Sequence, residues 1–388
     1  MSSRCPACGS TYGDNVNFCP KDGSRLVSRT ARPADAPTPA PGATPQGYDG
    51  RTGTLPPPRP GAAIAAGAAG AAGAAGATPS GPMALVGTTL EGRYRIEGKL
   101  GEGGMSIVFL AIDETTDALL AIKVLSPTLS RDENAMARLR REASMGARLS
   151  HPNVCPILRM GETADGLVFV VMPFVDGELL VERTNRLRQL PLHEVVRYVR
   201  DIAEGLDAAH RLGIVHRDLK PENVMLSPDD EGVERAVVLD FGLAKERRAG
   251  RELEKLTATG IVVGTPEFMS PEQLRGKPID GRTDVYALAL MTYEMLTGAL
   301  PFRAKTQQES MIARLKSDPI PLRAMRPELD LPEGVDRVIQ VALSRDPRDR
   351  QQSAPAFASA LAAAVAGEAG DQSSDSGRGF LKKILRRQ

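Results

Sequence analysis

The sequence predicts an α+β fold in which a small β-rich lobe precedes a larger helical lobe. Three segments with strand-like alternation come first, YRIEGKLG, IVFLAID and LLAIKVL, and together they favour an antiparallel sheet. An apolar stripe at helical spacing then runs from Val199 to Ala209 and stops at Gly213. From Asp284 to Thr297 the residues are apolar almost all round, which is typical of a buried central helix.

A further helix is predicted between the sheet and these two segments. Ser130 and Glu133 have the spacing of a capping box, and the helix would run to about Leu149. Its inward face would carry Leu139 and Gly146. A glycine costs about 1 kcal/mol in a helix and packs nothing, so we hypothesise that this helix is loosely held until a partner or a dimer contact fixes it.

Length and composition describe a globular protein with additions. The 388 residues suffice for two or more domains, and 41% hydrophobic content suffices for a sizeable core. The formal charge of +1 does not favour nucleic acid as a partner. Three of the four cysteines lie in the first nineteen residues, and the start lacks the order of a secretory signal, so we expect a reducing, cytoplasmic location.

Composition divides the chain into four zones: a cysteine-bearing head (1–27), a linker rich in Pro, Ala and Gly (28–88), a patterned body (93–364) and a tail (365–388). The linker cannot bury enough apolar surface to fold, and as a coil it would reach roughly 40 Å. Its run at 61–76 is almost all Ala and Gly, too short and too weakly hydrophobic for a membrane span.

Gly101, Gly103 and Gly104 lie in LGEGGMSIVF, between two predicted strands. Glycine lets the backbone fold closely over a phosphate, although such a hairpin is also common as a plain turn. Lys123 lies inside an apolar strand, and a buried lysine needs a partner. Glu142, on the inward face of the capped helix, is the expected partner.

Two segments, HRDLKPENVML and VVLDFG, carry the decisive chemistry. Together they supply Asp218, Lys220, Asn223 and Asp240. One carboxylate can orient a hydroxyl, one cation can neutralise a transferring phosphate, and two oxygen ligands can hold Mg²⁺. This set suits phosphoryl transfer, whose catalysis is mostly positioning and charge neutralisation.

Between about Arg93 and Ala364 the chain resembles the eukaryotic-type Ser/Thr protein kinases of bacteria, because each catalytic segment of that family has a counterpart here in the same order. The resemblance implies a two-lobed protein kinase fold, with a β-rich N-lobe and a helical C-lobe. It also implies ATP and Mg²⁺ (or Mn²⁺) as cofactors, and transfer of the γ-phosphate to Ser/Thr hydroxyls of protein substrates in a signalling pathway.

The resemblance further implies a role for each catalytic residue. Lys123 would hold the α- and β-phosphates while pairing with Glu142. Asp218 would accept the hydrogen bond of the substrate hydroxyl, and Lys220 would stabilise the γ-phosphate. The implied catalytic set is Lys123, Glu142, Asp218, Lys220 and Asn223.

Cofactor-binding residues follow from the same resemblance. Asn223 and Asp240 would bind the metal ion. Pro173 follows the gatekeeper Met172 and lacks an N–H, but the family uses that position's carbonyl and the N–H of Val175 toward adenine, so the pocket should survive. The implied ATP-binding residues are Leu100, Gly101, Gly103, Gly104, Val108, Ala121, Lys123, Met172, Pro173, Val175, Met225 and Asp240.

Several matches to the family are structural. Glu272 would pair with Arg350, and Asp284 would brace the catalytic loop from the central helix. His216 is expected to pack in the core beneath that loop rather than act as a base, whereas no partner for His210 is visible in the sequence.

Activity control is expected in the activation loop. Lys220 and the segment GTPEFMSPEQ resemble the Ser/Thr pattern rather than the tyrosine one. Arg217 resembles the arginine that grips a phosphorylated loop, and Thr257 and Thr259 would be the phosphate acceptors. We predict autophosphorylation in trans; ordinary loop threonines are the alternative.

The head carries two short turns, CPACG and CPKDG. Cys5, Cys8, Cys19 and Asp22 resemble a Cys₃Asp zinc ribbon, since an aspartate oxygen is an accepted zinc ligand. A reduced, metal-free knuckle is the alternative. We expect such a head to dock a protein partner; an inert cap remains open.

The tail GFLKKILRRQ would gather apolar residues on one side of a helix and basic residues on the other. Contact with the inner membrane face, docking to protein and a solvated tail all remain open, as does a homodimer. Two rival functions are kept: a pseudokinase-like scaffold, which the intact catalytic residues disfavour, and a zinc-ribbon adaptor acting by binding, which the near-zero charge disfavours when the partner is nucleic acid.

Overall fold

The computed structural model describes residues 3–4, 11–12, 27–28, 85–103, 106–132, 136–137, 139–140, 145–146, 148–163, 165–229, 231–241 and 266–367. Two compact units are present, Met1–Leu85 and Val86–Gln388. In the first unit, strands β1 (Ser3–Arg4), β2 (Thr11–Tyr12) and β3 (Val27–Ser28) form an antiparallel sheet of order β2-β1-β3.

The second unit begins with a six-stranded antiparallel sheet of order β4-β5-β6-β7-β9-β8. Its β-branched and aromatic residues alternate between buried and partly exposed positions, which fits one face packed on a core. The predicted antiparallel sheet is therefore confirmed. The strands are β4 (Thr89–Leu90), β5 (Tyr94–Gly103), β6 (Ser106–Asp113), β7 (Leu119–Leu125), β8 (Arg159–Glu162) and β9 (Val168–Pro173).

The chain after β7 differs from the capping-box prediction. Helix α1 (Pro127–Ser130) is capped by Ser126, whose hydroxyl accepts from the N–H of Leu129. Ser130 ends this helix, and its hydroxyl accepts from the N–H of Val168 in β9. Further helical residues are 136–137, 139–140 and 145–146, and Glu133 lies outside the described residues.

Helices dominate the rest of the second unit. The predicted stripe is the buried face of α3, and Gly213 beyond its end has φ 75°, a conformation that glycine adopts at little cost. The predicted central helix, α5, is buried along nearly its whole length. The helices are α2 (Leu180–Leu187), α3 (Leu192–Arg211), α4 (Pro271–Leu274), α5 (Gly281–Thr297), α6 (Gln307–Lys316), α7 (Leu322–Met325), α8 (Glu333–Ala342) and α9 (354–367).

A small antiparallel sheet has the order β10-β11-β12; in sequence β10 precedes α2, and β11 and β12 lie between α3 and α4. Its strands are β10 (Glu178–Leu179), β11 (Val224–Pro228) and β12 (Glu234–Val238). Val224 pairs with Val238, so Asn223 and Leu239 meet just outside the same end of the hairpin, where the N–H of Leu239 donates to the carbonyl of Asn223 at 2.8 Å. This register brings the predicted metal ligands Asn223 and Asp240 to one place.

Candidate active site

The glycine-rich segment is the β5–β6 hairpin. Gly101 pairs with Val108 and Gly103 with Ser106, with irregular register nearby. A Cβ added at Gly101 would meet no atom within 4 Å, and one at Gly103 would meet only the Ser106 carbonyl, at 3.8 Å. Packing within the protein therefore does not require glycine here. Gly104 lies outside the described residues.

Lys123 lies in β7 with Val108 of β6 on one side and Val170 of β9 on the other. Its Nζ is 2.8 Å from Oδ2 of Asp240, and both side chains are largely buried. The predicted need for a partner is thus met by Asp240. The partner expected from the sequence was Glu142, which lies outside the described residues.

The loop from His216 to Asn223 carries the remaining catalytic candidates. The Asn223 amide donates to the Asp218 carbonyl at 2.7 Å and lies 3.4 Å from its carboxylate. The Lys220 ammonium is 3.9 Å from Oδ2 of Asp218. Arg217 and Asp240 both have positive φ, 67° and 54°, an uncommon conformation that functional sites favour. The structure therefore brings Asp218, Lys220 and Asn223 together.

Asp284 of α5 holds this loop from below. Its fully buried carboxylate accepts from the backbone N–H groups of His216 at 2.8 Å and Arg217 at 3.0 Å. His210 of α3 adds a third contact, with Nε2 at 2.7 Å from Oδ2 of Asp284. The predicted brace is present, and it includes a partner for His210 that the sequence pattern did not reveal.

His216 is buried beneath the loop, as predicted. Its Nδ1 accepts from the N–H of Asp218 at 3.3 Å, so Nε2 is the nitrogen that donates to the Leu239 carbonyl at 2.9 Å. Its ring also packs edge-on against Phe241, with centroids 4.8 Å apart. Both ring nitrogens are used structurally, which links the loop to the residue before Asp240.

Four of the predicted adenine-binding residues belong to one hydrophobic cluster. Met172 is buried in the same hydrophobic cluster as Ala121, Val175 and Met225, which are partly buried. Cys155 belongs to this cluster, and burial raises the pKa of its thiol to about 12, so the thiol stays neutral. The side chains of this cluster are therefore apolar or uncharged.

These features accompany a family match. The model of the protein kinase domain family matches residues 94–363. The chain belongs to the protein kinase family. It is 41% identical over 280 residues to the serine/threonine-protein kinase pkn3 of Myxococcus xanthus, covering 72% of this chain and 51% of that one. It is 36% identical to the serine/threonine-protein kinase PknB of Mycobacterium leprae, covering 68% of this chain and 42% of that one.

Solved kinase structures agree with this fold. The kinase domain of Mycobacterium tuberculosis PknI, crystallised as a double mutant, matches with a TM-score of 0.59 and 31% identity, covering 72% of this chain and 98% of that one. The two-lobed kinase fold predicted from the sequence is confirmed. The chain spans about half the length, or less, of the curated relatives named above.

A buried ion pair fixes the segment that follows the activation loop of the kinase. The two terminal guanidinium nitrogens of Arg350, Nη1 and Nη2, each donate to the Glu272 carboxylate at 2.8 Å, and the Thr283 hydroxyl donates to it at 2.8 Å. Burial raises the pKa of Glu272, but the hydrogen bonds and charge of Arg350 outweigh it, and the net shift is downward. The predicted Glu272–Arg350 pair is confirmed.

This segment also contacts the catalytic loop. Ser270 caps α4 and forms a reciprocal capping box with Gln273. The Gln273 amide donates to the Arg217 carbonyl at 2.7 Å. Arg314 of α6, buried completely, donates to the Met269 carbonyl at 3.3 Å. The sequence pattern gives no sign of this role for Arg314, because one arginine in an amphipathic helix normally lies on its solvated face.

Gly146 is buried, and its missing side chain is compensated by a neighbour. A Cβ placed there would lie 3.2 Å from Cδ1 of Ile157. The space that glycine leaves is therefore occupied by the end of a flexible side chain.

The residues present fit ATP and a divalent metal ion. Open space above Gly101 and Gly103 leaves room for phosphates beside their backbone. Lys123 supplies a cation, and the carboxylate of Asp240 and the amide oxygen of Asn223 are hard oxygen donors of the kind that Mg²⁺ prefers.

Several predicted residues lie outside the described ones: Glu142, Gly104, the acceptor threonines Thr257 and Thr259, the head residues Cys5, Cys8, Cys19 and Asp22, and the tail beyond 367. Within the described part of the chain, no helix is both long and apolar enough to cross a membrane.

Proposed function

We propose that the protein is an ATP-dependent Ser/Thr kinase that phosphorylates proteins. The observation that carries this proposal is the convergence of two halves of the site. The Lys123–Asp240 pair joins β7 to the residues just after the β11–β12 hairpin. Asn223, immediately before the same hairpin, is hydrogen-bonded to Asp218. Kinase relatives named for Ser/Thr specificity support the substrate class.

Each residue has a role that its contacts permit. Asp218 would accept the hydrogen bond of the substrate hydroxyl, held in place by Asn223 and by the N–H···His216 contact. Lys220, beside that carboxylate, would neutralise charge on the transferring group. Lys123 would orient the nucleotide phosphates, and bound Mg²⁺ would supply further charge neutralisation through Asn223 and Asp240.

The residues around adenine follow from the same proposal. Leu100, half-exposed in β5, and Val108 in β6 would cover one face of the ring. Ala121, Met172 and Met225 would form the remaining apolar walls. The Pro173 carbonyl and the Val175 N–H would make the polar contacts to the ring.

Activation is proposed to proceed by phosphorylation of Thr257 and Thr259. Arg217 would bind the added phosphate, which would couple the activation loop to the residue next to Asp218. A rival function, a scaffold acting only by binding, predicts no phosphate transfer at all.

One experiment separates these functions. The purified chain is incubated with Mg²⁺ and ATP, and phosphosites are mapped by mass spectrometry beside Asp218→Asn. Phosphate on Thr257 or Thr259 only in the active form would support self-activation. The variant Thr257→Ala with Thr259→Ala is also tested on added proteins. If it transferred phosphate to them at the full rate, activation through these residues would be refuted, while the kinase activity itself would stand.

We further propose that Cys5, Cys8, Cys19 and Asp22 bind zinc. The strand β1 ends immediately before Cys5, and β2 and β3 flank the second turn, so short antiparallel strands frame both turns. Metal content of the purified chain tests this: one zinc per chain, retained in Asp22→Cys and reduced in Cys8→Ser, is expected. Absence of zinc in the wild type would favour a metal-free knuckle.

Three further proposals concern partners. The head docks another molecule, the chain forms a homodimer, and the tail contacts the inner face of a membrane. The head would dock a protein partner rather than nucleic acid, because the chain carries almost no net charge. Pull-down with the head variant Cys8→Ser as the control would test that partner.

A further inference from the structure

The peptide unit that precedes Asp218 is held at both of its ends. This unit is planar, and its two polar groups are the carbonyl of Arg217 and the N–H of Asp218. The carbonyl accepts from the Gln273 amide at 2.7 Å, and the N–H donates to Nδ1 of His216 at 3.3 Å. Rotation of the unit would break both hydrogen bonds. Because the unit leads directly into Asp218, the same rotation would also turn the Asp218 carboxylate.

The backbone at this point has an unfavourable conformation. Arg217 has φ 67°, in the left-handed region that residues other than glycine rarely adopt. Such a conformation persists only where the surroundings hold it. The Arg217 N–H donates to Asp284 at 3.0 Å, and the Arg217 carbonyl accepts from Gln273. Side chains from two helices, α5 and α4, therefore hold the residue before Asp218.

The Gln273 side chain is itself fixed. It is buried, and its Oε1 accepts from the backbone N–H of Ser270 at 2.9 Å. A glutamine amide provides an acceptor and a donor in one planar group. Here Oε1 meets a donor and Nε2 meets the Arg217 carbonyl, so the partners set the orientation of the amide.

Helix α4 gives this side chain an anchored base. Glu272, next to Gln273 in the helix, forms the buried ion pair with Arg350. Ser270 caps the same helix. Gln273 therefore links the anchored helix α4 to the peptide unit before Asp218.

We propose that Gln273 is a positioning residue, which sets the direction of the Asp218 carboxylate by holding the Arg217 carbonyl. The inference rests on the proposed kinase function, in which Asp218 accepts the hydrogen bond of the substrate hydroxyl. A misdirected carboxylate slows phosphate transfer. It leaves ATP binding intact, because the nucleotide is proposed to bind to other residues, among them Lys123 and Asp240.

Two variants of the full-length chain test this role. Gln273→Met keeps the approximate size of the side chain and removes both hydrogen bonds. Gln273→Glu keeps an acceptor for the Ser270 N–H and loses only the donor to Arg217. Both variants should lower kcat by about 10- to 100-fold, because a small misplacement of a catalytic group has an effect of this size. The KM for ATP should stay near its wild-type value in both.

Gln351→Met is the matched control. The Gln351 amide also donates to a backbone carbonyl, that of Val338 in α8, at 3.1 Å. Loss of that hydrogen bond should lower stability but leave kcat unchanged. Phosphate transfer from Mg²⁺-ATP is measured with casein and with the chain itself as acceptors, and urea denaturation of each variant shows that it is folded.

The wild-type kcat in Gln273→Glu would overturn the proposal, because the donor to Arg217 would then not be needed. A loss of kcat in Gln351→Met as large as that in Gln273→Met would also overturn it, since any lost amide hydrogen bond would then act alike. A raised KM for ATP at unchanged kcat would contradict the proposal by assigning Gln273 to the nucleotide site. If the unchanged chain transferred no phosphate to either acceptor, the proposed function itself would be refuted, and this inference with it.

Discussion

The loop from His216 to Asn223 and the glycine-rich β5–β6 hairpin are built on opposite principles. In the loop from His216 to Asn223, backbone and side-chain groups form hydrogen bonds to the buried Asp284 and Gln273 and to the partly buried Leu239. In the β5–β6 hairpin, a Cβ at Gly101 would meet no described atom within 4 Å, and one at Gly103 would meet only the Ser106 carbonyl, at 3.8 Å. Some motif residues therefore fix the geometry of the active site, and others leave room for a ligand.

The largest expected effect comes from breaking the contacts that hold the loop from His216 to Asn223. Asp284→Ala would leave two buried backbone N–H groups and the His210 ring without their acceptor. We expect the free energy of unfolding to fall by about 3–5 kcal/mol, with loss of kinase activity, because each buried donor loses its partner. Urea denaturation measures this. The exposed pair partner Asp207, changed to Asn, is the control and should shift stability by less than about 0.5 kcal/mol.

A smaller loss of stability is expected for Glu272→Gln, because the glutamine keeps part of the hydrogen bonding to Arg350. Stability should fall by about 2–3 kcal/mol at pH 7, since a buried guanidinium loses its counter-charge. The folded-state pKa of Glu272 lies below the ordinary 4.5, so the pair stabilises the fold above the ordinary pKa and stops doing so as pH falls through the lowered value.

The stability difference between wild type and Glu272→Gln should therefore be constant at neutral pH and shrink below about pH 4.5. Urea denaturation from pH 7 to pH 3 measures it. A difference that grows on acidification would show that another group dominates.

Sequence reasoning predicted the sheet, the central helix and the loop contacts of Asp284, because periodicity and motif spacing report on local structure and on what must be buried. It did not find His210 as a partner of Asp284, nor Arg314 beneath Met269. Both contacts join residues far apart in sequence through the packing of α3 on α5 and of α6 on residues 266–270. A single polar residue on a helix carries no sign of which tertiary neighbour it meets.

For the glycine-rich β5–β6 hairpin we expect a different outcome. Gly101→Ala should change stability by less than about 1 kcal/mol, since its Cβ meets nothing within 4 Å, yet it should raise the KM for ATP several-fold by filling space beside the phosphates. The matched control is Gly161→Ala, whose Cβ would lie 2.3 Å from the Phe169 ring. That variant should lose stability.

Steady-state kinetics with varied ATP, beside urea denaturation, distinguishes the two glycines. If Gly101→Ala left the KM for ATP unchanged, the hairpin would be a plain turn. If Gly101→Ala instead lowered stability as much as Gly161→Ala, the proposed contrast between the fixed loop and the open hairpin would be wrong.

Gly146→Ala gives the smallest expected effect, and the variants of Gly146 together test whether the helix around this glycine is loosely held. In Gly146→Ala the new methyl meets only the end of Ile157, at 3.2 Å, so the gain in helix propensity of about 1 kcal/mol should be largely retained. Gly146→Leu should lose about 1–3 kcal/mol by overpacking, and Ile157→Ala in the same chain should recover part of that loss. A double-mutant cycle by urea denaturation measures the coupling.

Kinase activity measured at several protein concentrations tests the dimer contact. If such a contact normally fixes this helix, Gly146→Ala should make activity less dependent on protein concentration. An unchanged dependence would show that the glycine serves packing against Ile157 alone.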